Sequence, residues 1–347
     1  MRLVNLRLVS LCLLIGIIIW IWISLNRPSR KSLSVESFEV ETKFKINFMS
    51  IQKAQEIIRR HHSSYFKRMK PMEIVARNVI SDESEFYQPD IVSKIEHFYC
   101  SHILEFSSFE QKLLKELIIQ TVAKSPNKQL SKYFLNWNLI KVDNYFEDGL
   151  PHTINEYIVI PEDFVLDIQK LFESNQIKDA IINYGSTLTH EQVHVLQRVH
   201  PSIFDRLYVH YWRYTSFPEE PINLLIDHYV GPYQRLNPDG LNNNYLFKLP
   251  NSQYLIVYVK LKDEHLENVT KYGLTIKRPG FKAQSNKLLN QYSDYINYFG
   301  GIGNNYHPNE LIASLLSEYI MLPEYYKNQR VHNCQALMEV KRWIKTL

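Results

Sequence analysis

The chain has 347 residues, of which 45% are hydrophobic and 22% are charged, and its formal net charge is only +4. This composition is typical of a folded protein and excludes an intrinsically disordered chain. The basic residues are scattered along the sequence, so no nucleic-acid partner is expected. The three cysteines are too few for a disulfide framework or a cysteine-rich zinc site.

The first predicted element is an apolar run without a charged residue, residues 8–25. A helix of that length spans ~27 Å, close to the hydrocarbon thickness of a bilayer. The run exceeds a typical signal core, and residues 26–32 offer no small-x-small cleavage site. We therefore predict an uncleaved transmembrane anchor after a flank of residues 1–7, and a single-pass membrane protein. Basic residues on both sides leave its orientation open.

The remainder divides into a polar stalk, residues 26–45, and one domain, residues 46–347, in which no repeat or low-complexity break occurs. Helical spacing of apolar residues marks 50–69, 107–124, 186–199, 308–321 and 330–346, and strand patterns mark 138–142, 156–162, 245–249 and 254–261. A helical majority with interspersed strands predicts an α+β domain. The adjacent histidines 61 and 62 point about 100° apart on a helix, which favours a solvated face.

The segment most informative about function is "STLTHEQVHVLQRVHPS", residues 186–202. Within one predicted helix, His190 and His194 are four residues apart and project from the same face. Two imidazoles so placed can both reach one Zn²⁺ ion at ~2.0–2.1 Å. Glu191 lies on the flank of that face, where its carboxylate can reach a metal-activated water. This is the HExxH arrangement of zinc hydrolases.

Zinc requires a third protein ligand, and the sequence offers two. His200 completes the metzincin spacing HExxHxxGxxH, but Gln197 stands where that pattern has the glycine that turns the chain back. Glu310 lies in the first turn of a predicted helix that Pro308 opens, which presents its carboxylate from a defined scaffold. Glu310 is the preferred third ligand, and His200 is the alternative.

Residues 309–314, Asn-Glu-Leu-Ile-Ala-Ser, resemble the N-E-x-x-[SA]-[DE] segment of the gluzincin branch of zinc metallopeptidases. Ser314 departs from that pattern, because the family has there an acidic residue that orients a ligand histidine. Residues 149–164 resemble the edge strand along which zincins bind an extended peptide. The chain is also similar to metallopeptidases inferred for large DNA viruses. These resemblances cover about residues 150–200 and 304–320.

The resemblance implies a zincin-like metallopeptidase domain of the α+β class. Zn²⁺ would be held by His190, His194 and Glu310, and Glu191 would be the general base that activates water to hydrolyse a peptide or protein substrate. Because the exopeptidase signature GxMEN is absent, internal cleavage is favoured. Candidates for stabilising the oxyanion are drawn from residues near the motifs, namely Tyr306, His307, Tyr298 and Arg198.

Two other functions remain open at this point. The chain could be a zinc-binding scaffold or structural membrane protein that has lost turnover, which the departure at Ser314 allows. It could also be a zinc hydrolase of a non-peptide amide. All three functions need the same metal ligands, and the two hydrolases differ from the scaffold in using Glu191 as a base.

Overall fold

The computed structural model describes residues 44–239, 244–277 and 282–347. Within these ranges ten strands form two five-stranded sheets. The strands are β1 (Lys45–Phe48), β2 (Ile103–Leu104), β3 (Asn136–Val142), β4 (His152–Ile154), β5 (Tyr157–Pro161), β6 (Tyr214–Ser216), β7 (Tyr245–Lys248), β8 (Tyr254–Leu261), β9 (Val269–Ile276) and β10 (Ser285–Leu288).

Three helices matter most for the site and are labelled α1 (Ser108–Lys124), α2 (Ser186–Val199) and α3 (Pro308–Ser314). The other α-helices of the described ranges are Ile51–His61, Ser63–Phe66, Pro71–Ala76, Ile91–Ser101, Lys128–Ser131, Glu162–Glu173, Ile177–Ala180, Pro201–Arg206, Glu219–Val230, Ser293–Tyr298, Gln329–His332 and Gln335–Ile344. Short π-helical segments directly precede α2, at Ile181–Gly185, and follow α3, at Leu315–Met321. Such segments often occur at functional sites.

The first sheet has the order β1-β3-β5-β4, and β2 also pairs with β3. Strands β1, β3 and β5 are parallel, whereas β4 runs antiparallel to β5 at the edge. Successive side chains of a strand point to opposite faces. Trp137 and Leu139 of β3 accordingly join the core beneath α1 and α2, and Ile140 and Val142 join a second core on the other face. Helices thus cover both faces, as a parallel sheet requires.

The second sheet is an antiparallel meander in the order β10-β9-β8-β7-β6. Its longest pairing joins β8 to β9 over eight residues, from Tyr254 opposite Ile276 to Leu261 opposite Val269. One face packs against the helix Glu219–Val230, which contributes Ile222 and Ile226 to a separate small core. A sheet of this kind can leave its other face open to solvent or to a cleft.

The fold predicted from the sequence, an α+β zincin-like domain with an N-terminal transmembrane helix, has to be corrected. The described residues form a mixed α+β fold with two sheets, and none of their helices is long and apolar enough to cross a bilayer. The helix Ile51–His61, for example, buries Ala54, Ile57 and Ile58 and exposes charged residues on its other side. The apolar run 8–25 lies outside the described residues.

Two residues of the predicted stalk, 44 and 45, lie within the described ranges. The compact unit begins at Phe44, and Lys45 starts β1, which pairs in parallel with β3 at Asn136. The backbone hydrogen bonds of β1 draw these residues into the sheet. Residues 26–43 of the stalk lie outside the described ranges.

The prediction of a solvated histidine pair is wrong for one of the two residues. His62 is buried, and its ring stacks on that of His152 with centroids 6.2 Å apart. Residues 61 and 62 lie where one helix gives way to the next, so His62 turns inward against the first sheet.

The start of α2 is set by a close contact between two helices. A Cβ atom at Gly185 would lie 2.2 Å from Oγ1 of Thr121 in α1. Thr121 cannot easily yield, because it is buried and its hydroxyl donates to the carbonyl of Leu117 at 2.7 Å. Glycine at 185 therefore allows α2 to pack closely on α1.

We expect Gly185→Ala to lower the free energy of unfolding by about 1–3 kcal/mol, because overpacking forces the two helices apart. Thr121→Ala in the same chain should recover part of that loss. The control is Gly303→Ala, since a Cβ there meets no atom within 4 Å. Urea unfolding measures all three, and equal midpoints for Gly185→Ala and Gly303→Ala would contradict the assignment.

Candidate metal centre

Helix α2 presents its two histidines toward α3. The rings of His190 and His194 lie one turn apart with centroids separated by 4.9 Å and planes inclined at 74°. Glu310 lies in the first turn of α3, which Pro308 opens. The three side chains offer ligand atoms that all lie within 4.8 Å of one another. Residues 120 positions apart in sequence thus meet at one point.

The separations between these atoms fit a zinc site. Nε2 of His190 lies 3.2 Å from Oε2 of Glu310, and Nε2 of His194 lies 3.4 Å from Oε1. Ligands bound at ~2.0–2.1 Å to a tetrahedral ion are separated from one another by about 3.3–3.4 Å. The donor set, two imidazoles and one carboxylate, is also that of catalytic zinc, which leaves a fourth position for water.

The charges of these groups require a cation among them. Glu310 is 3% exposed, and burial alone would raise the pKa of its carboxyl, but His194 and His190 together outweigh burial and hold that pKa well below its usual range. Burial opposes charge on His194 too, yet Glu310 and Asp239 raise the pKa of its imidazole to about 10. The positive charge can be a proton on the imidazole or a divalent ion. The residues present therefore fit a metal.

Two amide side chains orient the candidate ligands. Gln197 donates from Nε2 to the backbone carbonyl of Asn309 at 2.9 Å, which turns its Oε1 toward Nδ1 of His194, also at 2.9 Å. His194 then carries its proton on Nδ1 and directs the lone pair of Nε2 toward Glu310. Asn237 donates to Oε1 of Glu310 at 2.7 Å and also to the hydroxyl of Tyr306.

Glu191 occupies the position expected of a general base. Its carboxyl group is 5% exposed, and Oε2 has no hydrogen-bond partner among the described residues. Burial raises the pKa of Glu191 well above its ordinary value, and the nearby carboxylate of Asp239 raises it further. A carboxylate that binds protons this readily is suited to taking one from water near neutral pH.

A second group of potential ligands consists of Glu191, His194 and Asp239. Asp239 is already engaged, because Arg198 forms a 3.0 Å ion pair with its Oδ1, and the hydroxyl of Thr153 donates to the same oxygen. The carboxylate is therefore neutralised by the protein. The group centred on Glu310 is the better metal site.

Asp239 also occupies part of the edge strand β4, the strand expected to bind a peptide. The backbone N–H of Thr153, which points away from β5, donates to Oδ1 of Asp239 at 3.2 Å. The segment 237–239 therefore covers β4 at this residue. A peptide could pair with β4 at Thr153 only after that segment moves aside.

The side chains of His190, His194 and Glu310, together the metal-ligand group, open into a cleft of about 280 Å³. Its walls come from the start of β4, the segment 235–239, strands β8 and β9 and the residues before α3. The lining side chains are Glu147, Leu150, Pro151, His152, His190, Glu191, His194, Arg235, Asn237, Pro238, Asp239, Val259, Val269, Lys271, Asn304, Tyr306 and Glu310.

Other residues singled out from the sequence lie elsewhere. His200 ends α2 with its ring 5.9 Å from that of Tyr133 and joins no group of potential ligands in the described ranges. Tyr298 and His307 are absent from the cleft lining, and Arg198 is held by Asp239. Of the four candidates for stabilising an oxyanion, only Tyr306 lines the cleft.

Several site residues were missed from the sequence. Asn237, Asp239, Arg235 and Lys271 lie far from both motifs and carry no recognisable pattern. Gln197 did carry a signal, because it is three residues after His194 on the same helix face. It was interpreted only as an obstacle to the metzincin turn.

Comparisons with known proteins add no relative, since no protein family, curated protein or solved structure matches this chain. The resemblance to gluzincins consequently depends on the motif residues and on the geometry described above.

We expect the purified full chain to bind zinc, and His194→Ala to abolish binding. Gln197→Leu should weaken it by about 10–100-fold, because His194 then loses the acceptor that fixes its tautomer. His200→Ala is the control and should bind like the wild type. Competition with a chromogenic chelator measures each affinity. Loss of binding in His200→Ala, or full binding in Gln197→Leu, would contradict this geometry.

Proposed function

We propose that this chain is a zinc-dependent peptidase that cleaves internal peptide bonds, with Glu191 as its general base. The observation that carries the proposal is the placement of Glu191 beside His190, His194 and Glu310, whose ligand atoms lie within 4.8 Å of one another, with each histidine 3.2–3.4 Å from an oxygen of Glu310. A zinc scaffold without turnover would need the ligands alone. It would have no use for a buried carboxylate whose second oxygen lacks a partner.

The chain's own residues account for the proton transfers of hydrolysis. A bound zinc ion would polarise the substrate carbonyl and lower the pKa of a water molecule. Glu191 accepts the proton of that water on its unpartnered Oε2 and later donates it to the leaving amine.

Tyr306 is the best-placed donor to the developing oxyanion. Its hydroxyl lines the cleft and accepts a hydrogen bond from Asn237, so its own proton is available to substrate. Burial, reinforced by Glu310, raises the pKa of Tyr306 well above its usual value. The phenol therefore stays protonated across the physiological range and can donate.

One observation favours a second candidate function. Because Asp239 occupies the outer N–H of Thr153, an extended chain cannot add to β4 at that residue without displacing the segment 237–239. A smaller substrate could use the cleft as it stands. Hydrolysis of a non-peptide amide by the same metal and base is therefore the alternative.

The test compares the zinc-loaded full chain with Glu191→Gln on a mixed peptide library, with products identified by mass spectrometry. Glutamine has nearly the same shape but cannot accept the proton, so cleavage should fall by about 10²–10⁴-fold while zinc content stays the same. The control, Glu318→Gln, changes a half-buried glutamate that does not line the cleft. Equal cleavage by Glu191→Gln, or no cleavage by the wild type, would defeat the proposal.

A further inference from the structure

Two basic side chains form a row across the wall of the cleft. Gln234 forms an antiparallel bridge with Lys260, and the N–H of Arg235 donates to the carbonyl of Val259 at 3.2 Å. Val259 in turn lies directly opposite Lys271 in the pairing of β8 with β9. Arg235, Val259 and Lys271 therefore share one face of the sheet.

The row faces the metal-ligand group from across the cleft, since all three side chains line it together with Glu310. Neighbouring strands are ~4.8 Å apart, so the two basic residues are separated by about 10 Å at the backbone. Their side chains are long enough to converge on one small group above Val259.

Two carboxylates act on these cations without direct contact, Glu73 on Arg235 and Glu310 on Lys271. No carboxylate of the described residues forms an ion pair with Arg235 or Lys271, and Nε of Arg235 is buried without a hydrogen-bond partner. The ammonium of Lys271 donates to the carbonyl of Gly303 and lies 5.4 Å from the centre of the Tyr306 ring. These are neutral contacts, which leave its charge unbalanced.

Three of the four carboxylates that line the cleft bind to groups other than these two basic residues. Arg198 pairs with Asp239 at 3.0 Å, Arg77 pairs with Glu147, and Glu310 is shared by the two histidines. Once Glu310 binds a metal, it has little charge left to offer the opposite wall.

The two basic residues also repel each other. Burial lowers the pKa of the Lys271 ammonium, Glu310 acts in the opposite direction, and Arg235 adds to the lowering. An anion placed between the two side chains would relieve this repulsion. Charge-assisted hydrogen bonds of that kind are among the stronger ones in proteins.

We propose that Arg235 and Lys271 bind a carboxylate of the peptide substrate, so that cleavage occurs next to an acidic residue or close to a free carboxyl terminus. This inference rests on the proposed peptidase function. Both sources of the carboxylate offer the same planar anion, which the guanidinium of Arg235 can bind through two hydrogen bonds. Val259 between them would contact the apolar part of the same substrate residue.

The test uses peptides cleaved by the wild type, each made with Glu or Gln at every position flanking the cleaved bond and with a free or amidated carboxyl terminus. A carboxylate in the right position should raise kcat/KM by about ten-fold or more. A gain that follows the Glu position identifies a side chain, and one that disappears on amidation identifies the terminus. Equal kcat/KM for charged and neutral peptides would overturn the inference and leave the peptidase function intact.

Variants assign that preference to the two residues. Arg235→Gln and Lys271→Gln should each reduce the ratio of charged to neutral kcat/KM toward one, whereas Lys271→Arg should keep it. The control is Lys260→Gln, whose residue lies one position from Val259 and therefore on the other face of β8. A preference that survives both glutamine substitutions would also overturn the inference.

Binding measured without turnover separates this inference from the proposed function. Fluorescence anisotropy with Glu191→Gln compares a labelled peptide carrying Glu with its Gln counterpart, both with and without the Arg235→Gln substitution. If the wild type cleaves no peptide, the peptidase function fails. The carboxylate site still stands if Glu191→Gln binds the acidic peptide about ten-fold more tightly than the neutral one and loses that difference with Arg235→Gln. Equal binding of the two peptides would overturn the site, whatever the result for cleavage.

Discussion

A buried carboxylate between two imidazoles is the constraint on which the rest of the site depends. Glu310 is 3% exposed and has no lysine or arginine bound to it among the described residues. An isolated buried charge of this kind costs several kcal/mol, so it must be compensated within bonding distance. The two histidines of α2 supply that compensation, through a proton or a shared metal ion. The amides of Asn237 and Gln197 then fix which atoms face one another.

The two sheets contribute differently to this arrangement. The first sheet holds α1 and α2 on one face through a continuous apolar core, which gives the histidines a rigid base. The second sheet brings no metal ligand. It faces the ligands across the cleft with Val259 and Lys271 instead. The candidate ligands thus lie on one side of the cleft, and the side chains of the second sheet lie on the other. In such an arrangement, substrate specificity can change without changing the geometry of the ligands.

The sequence was most informative where function is encoded locally. The spacing of His190 and His194 places them on one helix face with Glu191 on its flank, and Glu310 was selected from the residues around it. Distant contacts of residues outside any recognisable pattern could not be predicted, as for Asn237, which reaches Glu310 across 73 positions. The structure also shows Gln197 in the orienting role expected of the residue at Ser314. The solvated face predicted for His62 was wrong because tertiary packing, and not helical spacing, decides burial.

Arg198 ties the segment 237–239 to the helix that carries both histidines, and Asn237 ties the same segment to Glu310. An ion held at the proposed site would therefore be thermodynamically linked to the placement of this segment. Displacing the segment from the sheet edge would weaken binding of that ion, and by reciprocity the bound ion would oppose the displacement by the same factor. A long polypeptide that pairs with β4 would therefore bind less tightly when the site holds its metal ion than when the site is empty.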